Sequence, residues 1–299
     1  MGGSRTKGKA MLRWFVDLWQ RVHRWRWWLR CPAKLGVFLL VVALVLYPKF
    51  WLLPEWWRRL GHVNGLLEPN HPGLAGLEQA ARVKLGDEAA PEAVLKAVEL
   101  TVYERIPYAW DWDVWGVMDY VPTVAEVLEQ GREDCDGRAL LAASLLRRMG
   151  CEAWLVSDLV HVWVVTPIGE MMGPGGGEKT LVGTETGTRT RLSLAGLVNL
   201  GRGTAFGVSV FPIGRELIIL AALCGLSLQP GTPTRRRIGG CALLVAAFAL
   251  LRVSGEVGGR GEALPMQFWL GLAAAVVGWL SLAVRGGGKR WRSRAARPE

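Results

Sequence analysis

Four apolar blocks decide what this chain can fold into. Leu35 to Tyr47 is almost wholly apolar, and with Pro48 to Leu53 the run reaches 19 residues. Only Lys49 interrupts it, near the far end, where a lysine can snorkel to the headgroups. About 20 residues cross a ~30 Å hydrocarbon core, so 35–53 is expected to be a membrane-spanning helix. Three more blocks follow late in the chain: Leu217 to Leu228, Ile238 to Val253 and Met266 to Val284. The first of these needs Pro212 to Gly214, or a thinner bilayer, to span. The short pair could also form a buried or re-entrant hairpin, so 213–284 is expected to hold two to three spans and the chain about four. With 51% hydrophobic residues, disorder is excluded, because so much apolar surface cannot stay solvated. Five cysteines in 299 residues are too few for a disulfide scaffold.

A cleaved secretory signal fits the first block badly. Its basic leader is 34 residues long, and the run ends in Lys49-Phe50-Trp51-Leu52-Leu53-Pro54 without a small-residue cleavage site. An uncleaved anchor is expected. Positive charge then sets the orientation. Segment 1–34, the Arg235-Arg236-Arg237 loop and segment 285–299 together carry eighteen of the 36 basic residues and two of the 26 acids. Four spans place all three on the cytoplasmic side and residues 54–212 on the other. The expectation is a multi-pass protein of the cell (inner) membrane with both termini cytoplasmic. The net charge of +10 is thus a topology signal, and nucleic-acid binding is not needed to explain it. Trp14, Phe15, Leu18, Trp19, Val22, Trp25 and Trp28 recur at roughly helical spacing among arginines, which suggests an amphipathic helix on the inner headgroup layer, in contact with membrane lipids.

Segment 54–212 is long enough for one domain with its own core. Helices are expected over Pro72–Leu85, Glu92–Arg105 and Thr123–Gln130, the last stopped by Gly131. The aromatic and acidic stretch 107–120 reads as a loop. Asp134-Cys135-Asp136-Gly137 precedes an apolar helix pattern that ends at Gly150, so Cys135 sits at a helix N-terminus. Three strand-like runs follow: Cys151–Ser157, His161–Thr166 and Thr180–Thr186, the last two joined by a glycine turn at 173–177 in the manner of a hairpin. The result is an α+β domain, a helix packed on an antiparallel sheet.

A thiol nucleophile must become a thiolate, which a helix N-terminus and a neighbouring imidazole both favour. Cys135 has the helix start, while Glu133, Asp134 and Asp136 push the other way. His161 is the sole histidine after Cys135, at the head of a strand. An acid or amide should orient that imidazole. Glu185, on the next strand, is the best placed; Glu178 and Asp158 are alternatives. A Cys135–Cys151 disulfide is excluded, because the intervening helix would hold them ~24 Å apart.

These motifs also resemble a known group. The runs GREDCDGRALLAASLLRRMGCEAWLV, HVWVV and LVGTET, with PTVAEVLEQG upstream, resemble the transglutaminase-like (papain-like) fold over residues 91–190. The resemblance implies Cys135 as nucleophile and His161 as base. Where the family has Asp followed by Pro, this chain has Thr184-Glu185-Thr186, so Glu185 would complete the triad. It also implies an aromatic near the oxyanion, for which Trp110, Trp112 and Trp115 are candidates. The implied activity is acyl transfer on peptide or side-chain amides of an envelope peptide or protein. Hydrolysis is favoured over transamidation, since no second amine site is evident. The alternative is an inactive domain that serves envelope binding or assembly.

No cofactor and no metal site is expected. His62 and His71 lie nine residues apart in a loop-like stretch without a nearby cysteine, and no Cys-x-x-Cys pair exists. The GPGGGEKT stretch at 173–180 misses a P-loop, because Glu178 stands where glycine is required and two strands flank it. The late apolar blocks carry ionisable residues only near their ends, which disfavours a transporter.

Overall fold

A computed structural model describes every residue except 1–20, 23, 87–89, 159, 174–178, 185–186, 191–193, 258–263 and 285–299. The chain divides into two compact units. One holds Met1–Val42, Pro212–Leu251 and Gln267–Glu299; the other holds Ala43–Phe211 and Arg252–Met266. The first apolar helix, α1, spans Trp27–Leu46. It therefore starts upstream of the expected Leu35 and stops short of Leu53. Pro48 is the reason: it donates no N–H and biases Tyr47 away from helix. A 3₁₀ turn at Phe50–Leu52 and the short helix α2 (Leu53–Leu60) follow.

The larger unit continues through α3 (Ala75–Leu85), α4 (Pro91–Arg105), the single turn α5 (Asp111–Val114), α6 (Val124–Gln130) and α7 (Cys135–Arg148). Local chemistry sets these bounds. Pro91 opens α4, where a missing N–H costs nothing. Thr123 and Glu126 form a capping box on α6, and Gly131 ends it with φ +63°, a left-handed stop that suits glycine. Every residue of α7 from Ala139 to Leu146 is buried, so it is a central helix with no wet face. It packs against the sheet on one side and against α3, α4 and α6 on others. Leu140, Leu141, Leu145 and Leu146 meet Val98, Val102, Val124, Val127, Leu155 and Val164 in one core. Each fully buried leucine contributes about 1.5–3 kcal/mol.

The strands are β1 (Trp154–Ser157), β2 (Val162–Val165), β3 (Glu170–Met171), β4 (Leu181–Thr184) and β5 (Gly187–Thr190). They form a five-stranded sheet in the order β3-β2-β1-β4-β5, with each neighbouring pair antiparallel. This corrects the hairpin expected between His161–Thr166 and Thr180–Thr186. The edge of β2 away from β1 is taken by β3, so β4 pairs with β1 instead. A further apolar helix, α8 (Leu194–Val210), was not foreseen within 54–212.

The other unit is helical: with most of α1 it holds α9 (Ile213–Ser227), most of α10 (Thr234–Val257) and α11 (Met266–Ala283). Three helices, α1, α10 and α11, are long and apolar enough to cross a membrane; Leu200–Val210 with Ile213–Ser227, taken as one broken span, would make four. Helices α10 and α11 meet through glycines. A Cβ on Gly278 would stand 3.0 Å from the Gly240 carbonyl oxygen, and one on Gly271 would stand 3.2 Å from that of Ala247. Such close backbone approach is how helices associate where lipid removes the hydrophobic drive. The Arg236 guanidinium donates to the Leu280 and Val284 carbonyls at the C-terminal end of α11, where carbonyls run out of helical N–H partners; that of Leu280 also accepts the Val284 N–H. The expected amphipathic helix over Trp14–Trp28 falls mainly outside the described residues.

Candidate active site

Cys135 is the first residue of α7, and the chain enters that helix through a constrained path. Segment 107–111 runs beside it: Glu133 donates its N–H to the Pro107 carbonyl at 3.1 Å, and its own carbonyl accepts from Ala109 at 3.1 Å. Asp134 caps the helix, its Oδ1 accepting from the Asp136 N–H at 3.2 Å. Gly137 is required at the next turn, since a Cβ there would lie 2.6 Å from Cγ of the buried Glu133.

His161 enters from the opposite layer, at the head of β2. Asp158 folds the β1–β2 turn: its Oδ1 accepts from the backbone N–H of Val160 at 3.0 Å and of His161 at 2.8 Å. The imidazole lies nearly parallel to the fully buried Trp163, 6.3 Å between centroids. Its Nε2 stands 2.7 Å from the Met172 carbonyl oxygen. A carbonyl only accepts, so Nε2 carries the proton and Nδ1 is the basic nitrogen of the neutral ring.

Cys135 and His161 line one cavity of about 450 Å³, with Tyr108, Trp110, Asp119, Asp134 and Asp136 on the polar side and Leu155, Val156 and Leu181 among its apolar walls. Of the three candidate tryptophans, Trp110 lines the cavity. Trp112 stacks on Trp110 at 4.8 Å, and the Trp115 indole donates to Glu133. Glu185 and Glu178 lie outside the described residues. Asp158 is described, and its carboxylate is engaged by backbone N–H groups. His71 caps a 3₁₀ turn, its Nδ1 accepting from Gly73, and His62 is exposed. All five cysteines are free.

Asp119, Asp134 and Asp136 line the cavity, and the buried Asp111 and Glu133 lie next to Asp134 and Asp136. Burial, and next the charge of Asp134, push the Asp111 and Asp136 carboxyls well above the usual range. Burial raises Glu133 to about 7, against the pull of the Asp134 N–H and the Trp115 indole. It raises Asp119 to about 6, although the Trp56 indole donates to its Oδ2 at 2.8 Å. The Cys135 thiol is pushed up by burial and then by Asp134, with the Val162 backbone N–H holding it back. One oxygen each of Asp111, Glu133, Asp134 and Asp136 lies within 4.8 Å of the others. Histidine and cysteine spacing does not reveal this oxygen set. Asp111 joins it through the 107–111 pairing, which no spacing rule announces.

No family model, no curated protein and no solved structure matches the chain.

Proposed function

We propose that this is a membrane-anchored, transglutaminase-like thiol enzyme that transfers acyl groups from peptide or side-chain amides, with hydrolysis as the main outcome. The observation that carries this reading is the meeting of Cys135, at a helix N-terminus, and His161, at a strand head, in the wall of one cavity. The apolar spans and the charge asymmetry support an extracytoplasmic cavity and an envelope peptide or protein as substrate.

The chemistry follows from the groups present. Nδ1 of His161 takes the thiol proton as Cys135 Sγ attacks the carbonyl carbon. Burial and Asp134 disfavour a standing thiolate, so proton transfer accompanies attack and the resting pair is neutral. The oxyanion receives the Cys135 backbone N–H and the Trp110 indole. Collapse breaks the C–N bond, and the imidazolium returns its proton to the departing amine. Water, deprotonated by His161, then cleaves the thioester to a carboxylic acid and restores the thiol. The Met172 carbonyl takes the orienting role that the resemblance gives to an acid.

One observation favours the second reading, a catalytically silent binding or assembly module: the carboxylates around Cys135 oppose its ionisation. Alkylation by iodoacetamide separates the two. The full chain is used in detergent, with Cys31, Cys151, Cys224 and Cys241 replaced, beside a His161→Ala variant. Faster labelling than a simple thiol, lost in His161→Ala, supports the enzyme. Simple-thiol behaviour unchanged by His161→Ala rejects it.

A further inference from the structure

We propose that the cavity of Cys135 is held at the membrane surface and that its substrates, on the enzyme reading above, are peptides anchored in that same bilayer, cut close to their anchors. Helix α1 has 20 residues and is apolar enough to cross a membrane. At ~1.5 Å per residue it is about 30 Å long, the thickness of the hydrocarbon core. Its last residue, Leu46, therefore marks one boundary of that core. From there the chain is tied directly into the cavity wall. The Leu46 carbonyl, at a helix end where carbonyls run out of helical partners, accepts from the Met118 N–H at 2.8 Å. The next residue, Asp119, lines the cavity, and its Oδ2 accepts from the Trp56 indole at 2.8 Å. Trp56 lines the cavity as well and packs against Tyr47, 6.3 Å between ring centroids. The path from Leu46 through Met118, Asp119 and Trp56 thus returns to the residue beside Leu46.

The side chains that turn outward beside this wall are those a headgroup layer selects. Phe50, Trp51 and Trp57 follow closely on Leu46 and are 63%, 61% and 73% exposed. Helix α2 shows the division of labour. Trp56 and Leu60, one turn apart, line the cavity, while the adjacent Trp57 faces outward. Tryptophan rings concentrate at the headgroup level, where one end of the ring is apolar and the other wet. A second wall repeats the pattern. Phe206 of α8 lines the cavity and meets Trp110 at 6.0 Å between centroids, and Val198 and Leu200 of the same helix are exposed. Resting on headgroups covers such side chains, which water would leave bare. The headgroup layer adds only about 5–8 Å on each side of the core. An amide next to a membrane anchor therefore meets Cys135 without leaving the surface, and sharing that surface raises its effective concentration.

The test measures height above the bilayer and needs no turnover. The full chain, with Cys31, Cys151, Cys224 and Cys241 replaced, is reconstituted in phosphatidylcholine vesicles. Two probes carry an iodoacetamide on a phosphatidylethanolamine headgroup, one directly and one through ten prolines, a stiff spacer of about 31 Å at ~3.1 Å per residue. Labelling of Cys135 is read by mass spectrometry. The direct probe should label it about tenfold faster, or more, than the spaced one. Ser157→Cys combined with Cys135→Ala moves the thiol to another position on the cavity wall and should give the same order. Equal rates for the two probes at both positions, or faster labelling through the spacer, would overturn the proposal. So would labelling of both cavity thiols by soluble iodoacetamide alone. Failure of the enzyme reading shows separately: a Cys135 that His161 does not activate reacts more slowly with both probes, and their ratio is unchanged in His161→Ala.

Discussion

The Nε2 of His161 meets the carbonyl oxygen of Met172 at 2.7 Å, and Met172 is the one described non-glycine residue with a positive φ, +61°. A side chain in the left-handed region costs about 1–3 kcal/mol. Here that conformation follows β3 and turns a backbone acceptor onto the imidazole. Met172→Gly should hold the same φ without strain and keep the alkylation rate of Cys135. Met172→Val, β-branched and averse to positive φ, should swing the carbonyl away and slow the reaction by roughly 10²-fold. Equal rates in the two variants would remove Met172 from the site.

Much of the fold was legible because its signals are local. Pro91, Thr123 with Glu126, Gly131 and the Asp134 cap fix helix bounds within a few residues, and those bounds need no tertiary partner. The order of strands was not legible. Whether β4 pairs with β2 or β1 depends on the two-residue strand β3 occupying an edge, and Glu170-Met171 carries no strand signature. The site divides the same way. Cys135 and His161 stand out by type and position, whereas a backbone carbonyl at Met172 and the carboxylate of Asp111 act through placements that residue type does not announce.

Asp119 should make the protein less stable as pH rises through mild acidity. Its carboxyl titrates near 3.8 unfolded and about 6 folded, so the folded state holds a proton that the unfolded state releases between those values. Stability from this group is full below about pH 4 and is lost as pH climbs through 6. The loss is about 2 kcal/mol, less than the whole shift implies because the group borders the cavity. Glu133 acts in the same sense between 4.5 and about 7. Melting temperatures measured across this range in chelator should fall, and Asp119→Asn should flatten part of the fall. Trp56→Phe removes a donor to the charged form and should steepen it. A rise in stability over this range, shared by all three proteins, would contradict the assignment.

Arg59 and Glu126 tie α2 to the cap of α6. The buried guanidinium donates to Glu126 Oε2 at 2.6 Å and to the Val121 carbonyl at 2.8 Å. Glu126 also accepts from Thr123 N–H at 2.7 Å and from the Tyr120 hydroxyl at 3.0 Å. Glu126→Gln leaves Arg59 buried without its full counter-charge and should cost about 2–3 kcal/mol. Arg59→Met combined with Glu126→Gln should cost less than the sum of the single changes, because the second removes a charge already stranded. Strict additivity in chemical denaturation would show that the pair is not coupled.

Gly239 and Gly240 are neighbours in α10, yet substituting them should act in opposite directions. A Cβ on Gly239 meets nothing within 4 Å. Gly239→Ala therefore gains helix propensity, about 0.5–1 kcal/mol, without a steric cost. A Cβ on Gly240 would stand 2.7 Å from Leu282 Cδ2, 2.8 Å from Leu282 Cγ and 3.1 Å from the Gly278 carbonyl. Leu282 is fully buried and cannot simply rotate away, so α10 and α11 must part. Gly240→Ala should destabilise by about 1–3 kcal/mol, as overpacking does. Thermal unfolding of the full chain in one detergent compares the two directly. Equal effects would mean that the α10–α11 contact does not depend on the missing side chain at Gly240.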